Sequence, residues 1–334
     1  MFAAAALLVS MTLSGADAPY HQIGSVPLGD GERWDYVTFD PASRHVFVAH
    51  GDRVEVVDTD AGKIIGTVSD IPGGTHGIAL SPDAKLAVTD DGHNGQAIVF
   101  DPNTFHIIRR IATSEDADGL FYDASKHRVV EINGDNGTLS LIDPTQSDVA
   151  STIRLGEPLE AGLSDGHGTI YVLGVDQHEV IRVSANGDTR RFVLDGCERP
   201  HGLAMDVARK TLFATCANKT MTIIDGENGR RLASVPIGAG SDGAVFDAKR
   251  GVAISSNGEG TLTVVRAADH GKFDVVATVP TARSARTIAI DESSGRLFLP
   301  AADVDPDASV TAGTSKRPTY KKGSLRLLIF APTR

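Results

Sequence analysis

Seven side chains that can carry charge or exchange protons recur along this 334-residue chain every 41 to 44 residues: Asp35, His76, Asp118, Glu160, His201, Asp242 and Arg286. Brought onto one ring, the acids and imidazoles make a donor set for a divalent cation, with His76, Asp118, Glu160, His201 and Asp242 as the expected ligands. Imidazole with carboxylate suits zinc, manganese or iron, and carboxylate with amide carbonyl suits calcium. His76, His201 and Glu160 are equally the candidates for acid and base catalysis, because a histidine beside a carboxylate exchanges protons near neutrality. Carboxylates this close repel, and a cation, bound protons or a basic ligand would relieve them. A merely wet channel mouth explains the same residues, and no short-spaced His or Cys pair singles out a metal.

Arg286 is the one basic member of the set. Its guanidinium could clamp a carboxylate or phosphate in two-pronged fashion, or pair with Asp35 and Asp242, one repeat away on either side. Asp35 and Arg286 are therefore binding candidates. Asn94 and Asn133 join them from loops that follow the second strand of their repeats.

Each opening residue starts a short apolar segment that ends in an Asp or Ser, as in Asp35 to Asp40, His76 to Ser81, His201 to Asp206 and Arg286 to Asp291. A period of about 40 residues, read as four strands per unit, is the mark of propeller blades. Apolar spacing of three and four, which helical repeats need, is absent. In the second unit the strands are expected at 77–80, 86–89, 96–100 and 107–111, with turns at Ser81 to Ala84 and at Asp101 to Thr104. The residue after the opening is small in five units, Gly77, Gly119, Ala161, Gly202 and Gly243, as crowded innermost strands require.

The expected fold is therefore all-β: one seven-bladed propeller over 19–334, built of four-stranded antiparallel blades. A fixed repeat overrides the two domains that length alone suggests, since a lone blade cannot cover both its faces. The seventh unit supplies three strands, and the segment from Tyr20 to Leu28 has the composition of the missing outer one. Closure by that N-terminal strand removes an open sheet edge. A closed ring buries its core without a second copy, so a monomer is expected.

In a propeller the start of the innermost strand and the loop after the second strand lie on one face, so the seven openings should encircle the channel mouth. The connection 301–323 falls over that mouth as the longest in the chain, and its Arg317 and Tyr320 are further binding candidates. A tolerated insertion is the plainer reading. Cys197 and Cys216, 19 residues apart, are the only cysteines. A disulfide that pins His201 is one reading; free buried thiols and soft metal ligands are the others.

Residues 1–18 hold a short apolar run and an Ala-x-Ala ending at Ala18, the pattern of a signal peptide without its usual basic start. That makes the protein periplasmic or secreted, against the alternative of an uncleaved apolar start in the cytosol. The run is too short to span a bilayer. A net charge of −11 and a pI near 5.4 argue against nucleic acid or an anionic membrane as partner.

The repeat length, strands such as Arg44 to Ala49 and Arg296 to Ala301, and the ending from Lys316 to Phe330 make the chain similar to the YncE-like family of seven-bladed propellers with YVTN-type repeats. Its nearest approach to the literal motif is Leu86 to Asp90. The resemblance implies an exported binding or scaffold protein with no generally established reaction. No phosphate loop, nucleophile elbow or zincin helix is present. The sequence thus points to an exported propeller that binds a small ligand or protein at the channel mouth. Its rivals are a metal-dependent lactonase, esterase-type hydrolase or lyase in the same channel, and a purely structural scaffold.

Overall fold

Every repeat forms one four-stranded antiparallel sheet. The computed structural model describes residues 19–30, 33–149, 151–267, 271–305 and 318–333. The expected leader at 1–18 and Arg317 lie outside the described residues. In the second blade the strands are Ile78–Ser81, Leu86–Asp91, Gln96–Phe100 and Ile107–Ala112, paired in chain order. Asp101 builds the turn before the last of them by accepting the backbone N–H groups of Asn103 at 2.8 Å and Thr104 at 3.3 Å. Asp58, Asp143 and Asp225 make the same turn, so that recurring Asp is architectural. Among the described residues there is no α-helix, only a 3-10 turn at Gly92–Asn94.

Blades cover one another face to face. Middle strands are accordingly apolar on both sides: Val46, Phe47, Val48 and Ala49 of His45–His50 are fully buried. Among the described residues seven hydrophobic clusters follow, one between each pair of neighbouring blades. The ring closes as the sequence suggests. Tyr20–Gly29 is the outer strand of the last sheet, antiparallel to Leu325–Pro332, with Tyr20 opposite Pro332 and Gly29 opposite Leu325. The Tyr20 hydroxyl also donates to Asp247 Oδ2 at 2.7 Å, which ties this strand to the sixth blade.

Near the axis the regular ladder breaks where the opening residues stand. In the third blade Ala117 faces Asn133 and Gly119 faces Ile132, which leaves Asp118 as the extra residue of a bulge. The pairing is interrupted in the same way around Glu160, His201 and Asp242. Bulges turn a side chain out of the ladder, here toward the channel. The small residue that follows is a packing demand: a Cβ at Gly77 would sit 2.9 Å from the Leu120 nitrogen, and one at Gly202 2.9 Å from the Gly243 carbonyl carbon.

Candidate functional site

All seven opening residues line one cavity of about 720 Å³ at the mouth of the channel. Arg33, Trp34, Tyr36, Gly51, Gly74, Thr75 and a second stretch, Pro318, Thr319 and Tyr320, complete its wall. The second stretch is held by a short antiparallel bridge, Val304 to Tyr320, with Lys321 N–H bonded to Asp303 O at 2.8 Å. Of the long connection expected over the mouth, residues 306–317 lie outside the described residues.

Acids and bases face one another at most junctions of the ring, and several neighbours pair. The Arg286 guanidinium sits between two acids: Nε lies 2.7 Å from Asp242 Oδ2, short of hydrogen-bond alignment, and Nη2 lies 3.8 Å from Asp35 Oδ1. Its Nη2 also donates to Trp34 O at 3.1 Å. Burial raises the Asp35 carboxyl to about 6 even though Arg286 and His76 pull it down. His201 Nδ1 is 3.5 Å from Glu160 Oε2, and that carboxylate is the main reason the imidazole pKa is raised. Asp118 is pushed up to about 7, by burial first and by the Glu160 charge second, with His76 pulling it back.

His76 is built more firmly than the rest. Its Nδ1 is 2.7 Å from Oδ2 of Asp90, a carboxylate with no solvent exposure. Asp90 further accepts the backbone N–H groups of His76 at 2.9 Å and Gly77 at 3.0 Å. Burial opposes the charged imidazole, yet the Asp90 bond and the acids Asp35 and Asp118 prevail, and the pKa stands at about 9. Near neutrality His76 is therefore an oriented cation on the cavity wall, its ring direction set by a buried carboxylate. Behind Asp90 lies Glu131, fully buried, with neither carboxylate oxygen hydrogen-bonded among the described residues. Burial drives its pKa to about 8, the Asp90 charge adding and Thr113 opposing.

Two of the expected binding residues are elsewhere. Asn94 ends the 3-10 turn and donates to Asp91 Oδ1 at 3.2 Å and Oδ2 at 3.1 Å, and it is not among the residues that line the cavity. Asn133 is buried at the end of its strand, where its amide donates to Thr138 Oγ1 and Ser140 Oγ, each at 3.0 Å. Tyr320 does line the cavity, its ring packed edge-on against Trp34 at 4.5 Å between centroids. Among the described residues no three of His, Cys, Asp and Glu converge as a metal-binding group. The expected pairing of Cys197 with Cys216 is a disulfide with 5.3 Å between Cα atoms, and it fastens the loop before His201 to the end of the next strand.

Several residues that shape the site were not among the candidates drawn from the sequence. Trp34 is the single tryptophan and immediately precedes an opening residue, which was its signal. It is 4% exposed, and its indole N–H has no hydrogen-bond partner among the described residues, a situation that costs about 1–3 kcal/mol. Asp90 stands 14 residues after its opening, where Ala49, Ile132, Thr215, Ser256 and Pro300 stand in other blades. A lone charge in an otherwise uncharged strand column was legible. So was a column of small residues just after the second strands, including Gly51, Gly92, Gly134 and Gly258. A Cβ at Gly92 would press to 3.0 Å on the His76 ring, and one at Gly134 would overlap Asp118 Oδ2.

No protein-family model matches this chain, and no curated protein matches it either. Among solved structures it is similar to that of U3-55K, at 10% identity with a TM-score of 0.75, covering 93% of this chain and 98% of that one. It is also similar to the crystal structure of the RRP9 WD40 repeats, at 12% identity with a TM-score of 0.77, covering 95% and 99%. At such identities the likeness carries the propeller fold alone.

Proposed function

We propose that this chain is an exported propeller that binds a small polar ligand at its channel mouth through the seven-residue ring. The observation that carries this reading is the cavity of about 720 Å³ with one charged or ionisable residue from every blade on its wall. Its size falls within the roughly 300–1,000 Å³ of small-molecule sites. The resemblance of the repeats to YncE-like propellers, which implies an exported binding or scaffold protein, supports the same reading. So does the disulfide, a bond that persists in oxidising compartments.

Catalysis is the second reading, favoured by one arrangement. His76 is oriented by Asp90, and the Asp118 carboxyl titrates near neutrality beside it, so a base and an acid for hydrolysis or elimination face one cavity.

Alanine at His76 and at His201 separates the readings, with wild type screened by thermal shift against a metabolite set and against ester and lactone substrates. Binding that weakens about tenfold or more in the variants, without turnover, is the expected result. Turnover lost in the variants would make the protein an enzyme, whereas stoichiometric metal found by elemental analysis and lost in Glu160→Gln would show that the ring holds a cation. A channel that takes up no ligand at all would overturn both readings and leave a scaffold.

A further inference from the structure

Seven is an odd number, and a closed ring of seven charges cannot alternate in sign all the way round. In blade order the ring reads Asp35, His76, Asp118, Glu160, His201, Asp242, Arg286. Six junctions join opposite signs. Arg286 contacts Asp35 and Asp242, His201 lies against Glu160, which with Asp242 favours its charged form, and His76 attracts both Asp35 and Asp118. The seventh junction joins two acids, Asp118 and Glu160, and it is repulsive. It is also the junction opposite Arg286, with Asp118 three blades from it in one direction and Glu160 three in the other.

A second feature of the same cavity points to an occupant. Across from the two acids, on the Arg286 side, the wall carries Trp34, nine-tenths buried and with an indole N–H that lacks a partner among the described residues. The ring of Tyr320, also on the cavity wall, packs edge-on against that indole. We propose that the junction of Asp118 and Glu160 seats the ammonium group of a small amine whose oxygen acceptor lies toward Trp34. An ammonium ion there makes the last junction attractive, so the occupied ring carries no like-charged neighbours. This inference rests on the ligand-binding reading and names the ligand class.

The simplest probes are propylammonium, 4-aminobutyrate and butyrate, titrated at constant ionic strength while the side-chain carboxyl signals of Asp118 and Glu160 are followed by NMR. Saturable binding of both amines is expected, with the Asp118 carboxyl pKa lowered by about one unit or more as the added cation favours its charged form. Glu160→Gln should weaken that response about tenfold or more, and butyrate should give none. The empty protein supplies a separate check. Asp118→Asn removes the repulsion and should raise the melting temperature at pH 8 by about 2–4 °C, the usual trade of stability for a binding group. An ammonium response no greater than that of sodium chloride, or a variant no more stable than wild type, overturns the seat. Butyrate bound without the amines would overturn it too, while leaving the ligand-binding reading intact.

Discussion

Glu131 illustrates how far a single residue can be held from its ordinary chemistry. The carboxyl is fully buried with both oxygens unbonded among the described residues, and its pKa stands at about 8 against an ordinary 4.5. Below pH 4.5 the folded and unfolded chains both keep the proton, so Glu131 contributes no pH dependence there. Between about 4.5 and 8 only the unfolded chain loses it, and stability falls as pH rises; above 8 the cost is constant. Glu131→Gln, which mimics the protonated form, should therefore melt close to wild type at pH 4 and several degrees higher at pH 8. Calorimetry across that range checks the sign, and an increment that shrinks with rising pH would contradict it. Nothing in the sequence foretold this state, because a Glu within an apolar strand reads as a residue for the exposed face. Only the neighbouring blade, which covers that face, makes it buried. Asp118 and His76 differ in this respect. Their place on the ring was legible from spacing, whereas their charge states depend on Glu160 and Asp90, which the fold brings near.

Elements position these residues through a few devices, and most left a trace in the sequence. The bulge that turns Asp118, Glu160, His201 and Asp242 inward shows as a small residue after the opening, and the Asx turns show as recurring Asp. Asn94 and Asn133 were misplaced because loop membership says nothing of side-chain direction: both amides satisfy local groups instead. The fifth blade adds a covalent device. Cys216 pairs with Pro200 across the strands while its sulfur holds Cys197, so the loop ahead of His201 is fastened at two points. A cross-link over about this length of chain stabilises by roughly 3 kcal/mol. Replacing both cysteines with serine should lower stability by about that amount and broaden the His201 ring signals in NMR spectra. Unchanged stability would show that strand pairing alone secures the loop.

For the whole molecule the decisive joint is between the two ends of the chain. Deleting residues 19–28 removes the buried side chains of Tyr20, Val26 and Leu28 and leaves Leu325–Pro332 as a bare edge. Burial of three such side chains is worth on the order of 5 kcal/mol, so the melting temperature should fall steeply and the truncated protein should associate through its open edge. Light scattering and calorimetry together check both; a monomer that melts like the intact chain would mean that the ring does not depend on its clasp. The closure itself was readable, because the seventh repeat lacks one strand and the N-terminal segment resembles an outer strand. The same joint imposes an order in time. A ribosome makes Tyr20 long before Pro332, its partner in the sheet, so the earliest strand waits unpaired through nearly all of synthesis. Six blades can form as the chain emerges, but the ring can lock only once Leu325–Pro332 is released, which makes closure a meeting of its first strand with its last.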